Sequence, residues 1–269
     1  MDQLSQWIGR RESHDDWVTP SRVAAWHATL DHDAPAVSEG DDVPPAIYWA
    51  LFPPLTRTSE LSDDGHPRRG GFFPPVELPR RMWAGSRLVW HRPLRVGEHL
   101  VRESTIANIE EKQGRAGPLV FVTVHHAVRA GKEMLLEDDQ GLVYRGADRA
   151  PLRSAEARPS TWLRTLSPNE VLLFRYSALM FNGHRIHYDR QYAESEGYPN
   201  VVVHGPLIAT LLLDLLAANT HNATVTRFQF KATRPAFANE PLTLHGQPAV
   251  DRGHFHLWSD GVEAEAWTR

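Results

Sequence analysis

Cysteine is absent from the 269-residue chain. That absence removes disulfides, thiolate nucleophiles and cysteine-ligated zinc together, so any catalysis has to come from His, Asp, Glu, Ser or Tyr. An apolar targeting run is missing as well. The start, MDQLSQWIGRRESHDDW, is polar apart from isolated Leu4, Trp7 and Ile8, which leads to the expectation of a mature, cytoplasmic chain with no membrane attachment. Nor is there an excess of charge. The 29 Lys and Arg face 33 Asp and Glu, a formal net charge of -4, so no global field draws the molecule to nucleic acid or an anionic membrane. What the chain does have is 41% hydrophobic residues, enough to fill one large core or two ordinary ones.

Along the chain, VTPSRVAAWHATLD signals a helix, with Thr19 as cap, Pro20 in the first position, and Val23, Trp26 and Leu30 at helical spacing. A Pro-, Gly- and Asp-rich passage from His32 to about Pro79 follows, with the apolar island AIYWALF at 46 to 52. It is too long for an ordinary turn and is expected to wrap the surface or border a site. From Arg87 the pattern is that of an antiparallel meander: RLVWHRPL, HLVRESTIANIEEK and GPLVFVTVHHAVRAGKEMLLEDD. A polar bridge then divides the chain into an N-terminal unit of residues 1–148, a linker of 149–160 and a C-terminal unit of 161–269.

The second unit opens on Ser167-Pro168-Asn169-Glu170, a capping arrangement for a helix reaching about Met180. Next come FNGHRIHYD, a short helix DRQYAESE stopped by Gly197 and Pro199, the almost uniformly apolar helix GPLIATLLLDLLAANT, and strands at VTRFQFKATRP, EPLTLHGQPAV and HFHLWSD. An internal echo supports doubling. Arg92-Pro93, Glu98 and Leu100 recur at the same spacing as Arg234-Pro235, Glu240 and Leu242, each set between strand-like runs. The working architecture is two copies of a sheet around a helix.

Chemistry concentrates in the second unit. Asn182 and His187 lie in a loop between two helices, where side chains can converge. Gly205 precedes Pro206 at the start of the buried helix and offers an unpaired N–H at its positive end, with no side chain in the way. That is the ingredient of an oxyanion hole. Together the three suit an enoyl thioester: the Gly205 N–H polarises the carbonyl while His187, whose ordinary pKa lies near 6.5, draws a proton from water held beside Asn182. His184, Tyr188, Asp189 and His204 are candidates for supporting roles. Asp189 also fits as a helix cap, and His204 as a turn residue. Arg185 could meet a substrate carboxylate. Of the clustered arginines, Arg80, Arg81 and Arg87 are candidates for the phosphates of CoA. His184, His187 and His204 could also hold a metal, but the only nearby carboxylate is Asp189, so no metal or other cofactor is expected.

The run from Phe174 to Leu212 resembles the MaoC-like hydratases, whose D-x-N-P-x-H motif is followed by a His-Gly pair. Asn182-Gly183-His184-Arg185-Ile186-His187 aligns with that motif. The family's histidine falls on His187 and its aspartate on Asn182, an amide that cannot take a proton as a carboxylate can. The chain is more similar still to a sub-branch reading N-x-H-x-I-H-Y-D, which includes mitochondrial-type 3-hydroxyacyl-thioester dehydratases and mesaconyl-C4-CoA and itaconyl-CoA hydratases. That resemblance implies an α+β double hot-dog, in which two antiparallel sheets, each wrapping a central helix, join into one. It implies one active site, in the second unit, with Asn182 orienting water by its amide oxygen, and an acyl-CoA substrate, in the lead reading a C5 dicarboxylyl-CoA. The rivals are a straight-chain 3-hydroxyacyl-thioester dehydratase, a hot-dog thioesterase and a non-catalytic acyl-CoA-binding protein. A homodimer is compatible with all of them.

Overall fold

Ten strands hydrogen-bond edge to edge into one antiparallel sheet in the computed structural model, which describes residues 2–33, 36–115, 117–146, 158–221 and 223–269. They are β1 (Arg11–Trp17), β2 (Arg80–Trp90), β3 (His99–Gly114), β4 (Gly117–Ala130), β5 (Glu133–Arg145), β6 (Trp162–Leu166), β7 (Val225–Ala232), β8 (Leu242–Pro248), β9 (His254–Ser259) and β10 (Val262–Thr268). Across the sheet the order is β1-β3-β4-β5-β2-β7-β10-β9-β8-β6. Read from its outer edge inward, each half repeats the same path, first strand, third, fourth, fifth, second. The doubling is therefore topological, and the echoed Arg-Pro segments occupy equivalent connections, β2 to β3 and β7 to β8.

The halves meet where β2 pairs with β7, with Gly85 opposite Lys231 and Leu88 opposite Phe228. A methyl group on Gly85 would come within 2.1 Å of the Phe230 carbonyl oxygen, and the residue's φ of +154° is one that side chains rarely adopt. Glycine is thus required at this seam.

Five helices accompany the sheet: α1 (Asp2–Ser5), α2 (Pro20–Thr29), α3 (Glu170–Met180), α4 (Arg190–Ser195) and α5 (Gly205–Asn219). The Thr19 hydroxyl accepts the Arg22 N–H at the start of α2, and the Asn169 side chain accepts the Leu172 N–H at the start of α3. Asn169, rather than Ser167, is the cap of α3. Helix α5 buries ten of its fifteen residues, Pro206 to Leu213 and Leu215 to Leu216, because it lies in the concavity of the sheet. Its one charge, Asp214, is matched by Arg164 at 2.5 Å and His32 at 3.1 Å. The halves fill this space unequally. In the first half the described residues between β1 and β2 supply α2 and two 3-10 turns, Pro45–Ala50, whose residues Ala46 to Ala50 are buried, and Thr58–Glu60, which buries none.

Three strands went unanticipated: β1, β6 and β10. The first two are edge strands, and the third buries only Val262, Ala264 and Ala266, small side chains with little apolar contrast. The linker expected at 149–160 lies outside the described residues except for 158–160. No helix of the described residues is long and apolar enough to cross a membrane.

Candidate active site

The loop after α3 is built by its own backbone. Phe181 closes α3 in a left-handed conformation at φ 52°, and the Asn182 N–H turns back to the Ser177 carbonyl at 2.8 Å. The Asn182 Oδ1 then accepts the His184 N–H at 3.0 Å. This bond takes one of the two lone pairs of the amide oxygen that the resemblance assigns to a water, and leaves the other lone pair and the Asn182 NH2 to a ligand. A 3-10 turn, Arg185–His187, delivers His187 into the protein.

His187 is buried, and its Nδ1 lies 2.7 Å from the Val202 carbonyl oxygen. A carbonyl only accepts, so Nδ1 carries the proton and Nε2 presents the lone pair. Burial lowers the pKa of His187 to about 4, only partly offset by the Val202 bond. The ring is neutral at pH 7 and able to accept a proton. His204 stacks on it, centroids 3.7 Å apart and planes at 18°. The His204 Nε2 lies 2.8 Å from the Ser177 hydroxyl, its Nδ1 is buried without a partner, and burial holds its pKa well below the ordinary value. Among the described residues, His184, His187 and His204 do not form a group whose ligand atoms all lie within 4.8 Å of one another.

Gly205 begins α5 immediately after His204, and its N–H has no hydrogen-bond partner among the described residues. A Cβ added there would meet nothing within 4 Å. An orphan donor at the positive end of a fifteen-residue helix therefore opens onto free space. Asn182, His187, Gly205, His184, His204 and Tyr188 all line one cavity of about 1210 Å³.

The first half completes this site with residues the sequence did not single out. The Arg185 N–H donates to the Asp64 carbonyl at 2.9 Å, and Gly65 packs so closely that a Cβ would fall 1.8 Å from the Gly183 oxygen. That contact places His66 over His184 with ring centroids 4.1 Å apart, while the Asp64 carboxylate holds the His66 Nδ1 at 3.0 Å. Burial, with the nearby Arg81 charge, lowers the pKa of His66. Burial likewise lowers that of His184. Asp64, His66 and His184 bring ligand atoms within 4.8 Å of one another, as do His254, His256 and Glu265 elsewhere in the chain, so at this cavity they are a set that could hold a metal ion. Only their position in the long loop, expected to border a site, hinted at this.

Other candidates fall elsewhere. Arg185 turns away from the cavity: it pairs with Asp189 at 2.6 Å and covers the Tyr192 ring at 4.4 Å. Asp189 caps α4 by accepting the Tyr192 N–H, and it too lies off the cavity wall. Tyr188 is half exposed at the cavity rim, its hydroxyl donating to the Gly183 carbonyl at 3.1 Å. Of the three arginines expected at CoA, Arg81 lines the cavity and covers Phe73. Arg80 is committed to Glu196 at 2.6 Å. Arg87 is exposed on β2 opposite Asp139, away from the cavity, because the strand alternates and places it on the outer face.

Residues 47–238 match the model of the family described as hydroxyacyl-thioester dehydratase type 2. Mesaconyl-C(4)-CoA hydratase of Chloroflexus aurantiacus is 44% identical over 251 residues, covering 91% of this chain and 89% of the relative. The mitochondrial hydroxyacyl-thioester dehydratase type 2 of Schizosaccharomyces pombe is 29% identical over 234 residues, 74% of this chain and 76% of that one. Among solved structures, HtdX of Mycobacterium tuberculosis superposes with a TM-score of 0.71 at 18% identity, over 97% of this chain and 100% of the other. Another mycobacterial protein, described as having a double hotdog fold, gives a TM-score of 0.59 at 15% identity over 97% and 95%. The chain belongs to the hydroxyacyl-thioester dehydratase type 2 family, a group of hydratases and dehydratases, and has its double hot-dog fold.

Proposed function

We propose that the protein adds water reversibly to a 2-enoyl thioester of CoA, and that its preferred acyl group is a short dicarboxylic one of the kind named in the Chloroflexus relative. The observation that carries the reading is the neutral His187, held by Val202 with its Nε2 free, in the same cavity as the unbonded Gly205 N–H. The thioester carbonyl accepts from the Gly205 N–H, which draws electron density from the β-carbon. A water accepts from the Asn182 NH2 and gives its proton to the His187 Nε2. As the new C–O bond forms at the β-carbon, the π electrons move onto the enolate oxygen at Gly205. The imidazolium, strongly acidic because it is buried, then returns its proton to the α-carbon. One base thus suffices where Asn182 stands at the position of the aspartate in the MaoC-like D-x-N-P-x-H motif. Arg81, at the His66 side of the cavity, is the candidate to meet a CoA phosphate.

The test follows loss of the conjugated enoyl absorbance with mesaconyl-C4-CoA, itaconyl-CoA and crotonyl-CoA, beside a free-thiol assay and a His187→Ala control. Hydration without thiol release, abolished in the variant, is the expected result. Turnover of crotonyl-CoA alone would favour the straight-chain dehydratase reading that the yeast relative represents. Thiol release would mean a thioesterase.

A further inference from the structure

The same cavity extends into the first half, and there its wall is polar. Arg102 of β3, His126 of β4, and Asp138 and Gln140 of β5 line it together with Tyr48 from the 3-10 turn. Strand register makes this one patch: Ser104 lies opposite His126, His126 opposite Asp138, and Ser86 opposite Gln140. Asp138 and Tyr48 are almost wholly buried, at 1% and 3% exposure. His126 is satisfied by Ser104 at 2.8 Å and Gln140 at 3.3 Å.

Tyr48 hydrogen-bonds both the Asp138 carboxyl and the Arg102 guanidinium, and Ser86 also bonds Asp138, yet two atoms of the group are left without a partner. The Arg102 Nε is buried without a hydrogen-bond partner, and so is the Asp138 Oδ1. A buried polar atom left unmet costs about 1–3 kcal/mol, which is hard to explain in a wall that needs only to be filled. Arg102 has no carboxylate within ion-pair distance among the described residues. Glu12, at the cavity rim, is engaged by His14 at 3.5 Å. Burial pushes the Asp138 carboxyl up to about 7 against the opposing Ser86 and Tyr48 hydrogen bonds and the Arg102 charge, so near neutrality it is only partly ionised and its protonated form can donate to a ligand. Phe52, over whose ring the guanidinium sits at 4.9 Å, is itself held at φ 56° while its N–H is fixed by Asp16 at 2.7 Å. A bulky residue in that conformation stores strain of the sort found at ligand clamps.

We propose that this patch is a carboxylate receptor, in which Arg102, with the Tyr48 hydroxyl and the Asp138 carboxyl beside it, binds the free acid of a dicarboxylic acyl chain whose thioester end reaches His187. The assignment rests on the hydratase reading for its orientation and deepens it, because the anchor moves from the ion-paired Arg185 to Arg102. Arg102 would then be the specificity determinant, and the first half would choose the substrate that the second half transforms.

Binding, rather than turnover, tests this independently of the chemistry. Calorimetric titration of the full chain with succinyl-CoA and butyryl-CoA compares unreactive ligands that differ in a terminal carboxylate. The wild type is expected to favour succinyl-CoA by about 10-fold or more, the worth of a charge-assisted pair. Arg102→Gln should reduce that preference to near one, and Tyr48→Phe should reduce it in part. Circular dichroism melting of each variant separates lost folding from lost recognition. Equal wild-type affinities, or a preference that survives in folded Arg102→Gln, overturn the receptor whatever the enoyl-CoA panel shows. Preferential succinyl-CoA binding by a protein that hydrates nothing would retain the receptor and sink the hydratase reading.

Discussion

At the scale of single residues, His187 decides most. Its neutral form is the base, so activity needs Nε2 unprotonated and falls as pH drops through its pKa. Burial sets that value near 4, and the acid limb of kcat/KM is expected well below the 6.5 of an ordinary imidazole, read from a pH profile with crotonyl-CoA or the dicarboxylyl substrate. A limb at 6.5 or above would mean that a different group is the base. His187→Ala should lower kcat by about 10²–10⁴-fold, the usual worth of a positioned general base. Gly205 is a second point of control. Since a Cβ there meets no protein atom and the residue does not have a positive φ, Gly205→Val should leave the melting temperature nearly unchanged. Its side chain would stand where the thioester approaches, and a misplacement of about 1 Å costs some 10²-fold in rate. Equal kcat/KM in the variant would remove Gly205 from the mechanism.

At the scale of elements, the site depends on one loop docking on another. The turn at 62–66 presses Gly65 against Gly183 and carries His66 over His184. Gly65→Ala puts a methyl group on a backbone oxygen 1.8 Å away at φ +85°, strain of about 1–3 kcal/mol that undocking relieves. The expected outcome is a loss of turnover with mesaconyl-C4-CoA larger than the fall in denaturation midpoint would explain. Much at this scale was legible in the sequence. Thr19-Pro20 marks α2, the apolar run after Gly205-Pro206 marks α5, and Asn182 and His187 fall on one loop. The docking was not. His66 and Asp64 lie more than a hundred residues from His187, with no local periodicity to betray them, and Arg102 reads as an ordinary polar residue of an alternating strand. Edge strand β1, RESHDDW, buries nothing that would give it an alternating pattern, because only one of its neighbours is protein. Arg185 misled for a related reason: spacing places it near His187, whereas in the turn it pairs with Asp189 and Tyr192 while His187 lines the cavity.

At the scale of the whole molecule, the two halves are equal in topology and unequal in content. The seam between β2 and β7 holds them in one sheet, and Gly85→Ala, which drives a Cβ to 2.1 Å from the Phe230 oxygen, should cost about 1–3 kcal/mol by overpacking. Gly146→Ala, with nothing within 4 Å, is the matched control. A chemical-denaturation series that left both variants alike would mean that the seam is not under this constraint. Neither half builds the cavity alone, since its walls come from both.

Before β2 the first half has only the 3-10 turns Pro45–Ala50 and Thr58–Glu60 among its described residues after α2, whereas before β7 the second half has a fifteen-residue helix, and this difference has a thermodynamic consequence. A helix of that length and ordinary diameter fills roughly 1,700 Å³, of the same order as the 1210 Å³ left open. The acyl group is then a missing piece of core, supplied at each turnover and taken away with the product. Folding and occupancy become one linked equilibrium: a saturating ligand at about 100 times its Kd should add some 2.7 kcal/mol of stability, seen as a rise in melting temperature on adding an unreactive acyl-CoA. The molecule would be least stable when idle, and its lifetime in a cell would follow the supply of its substrate.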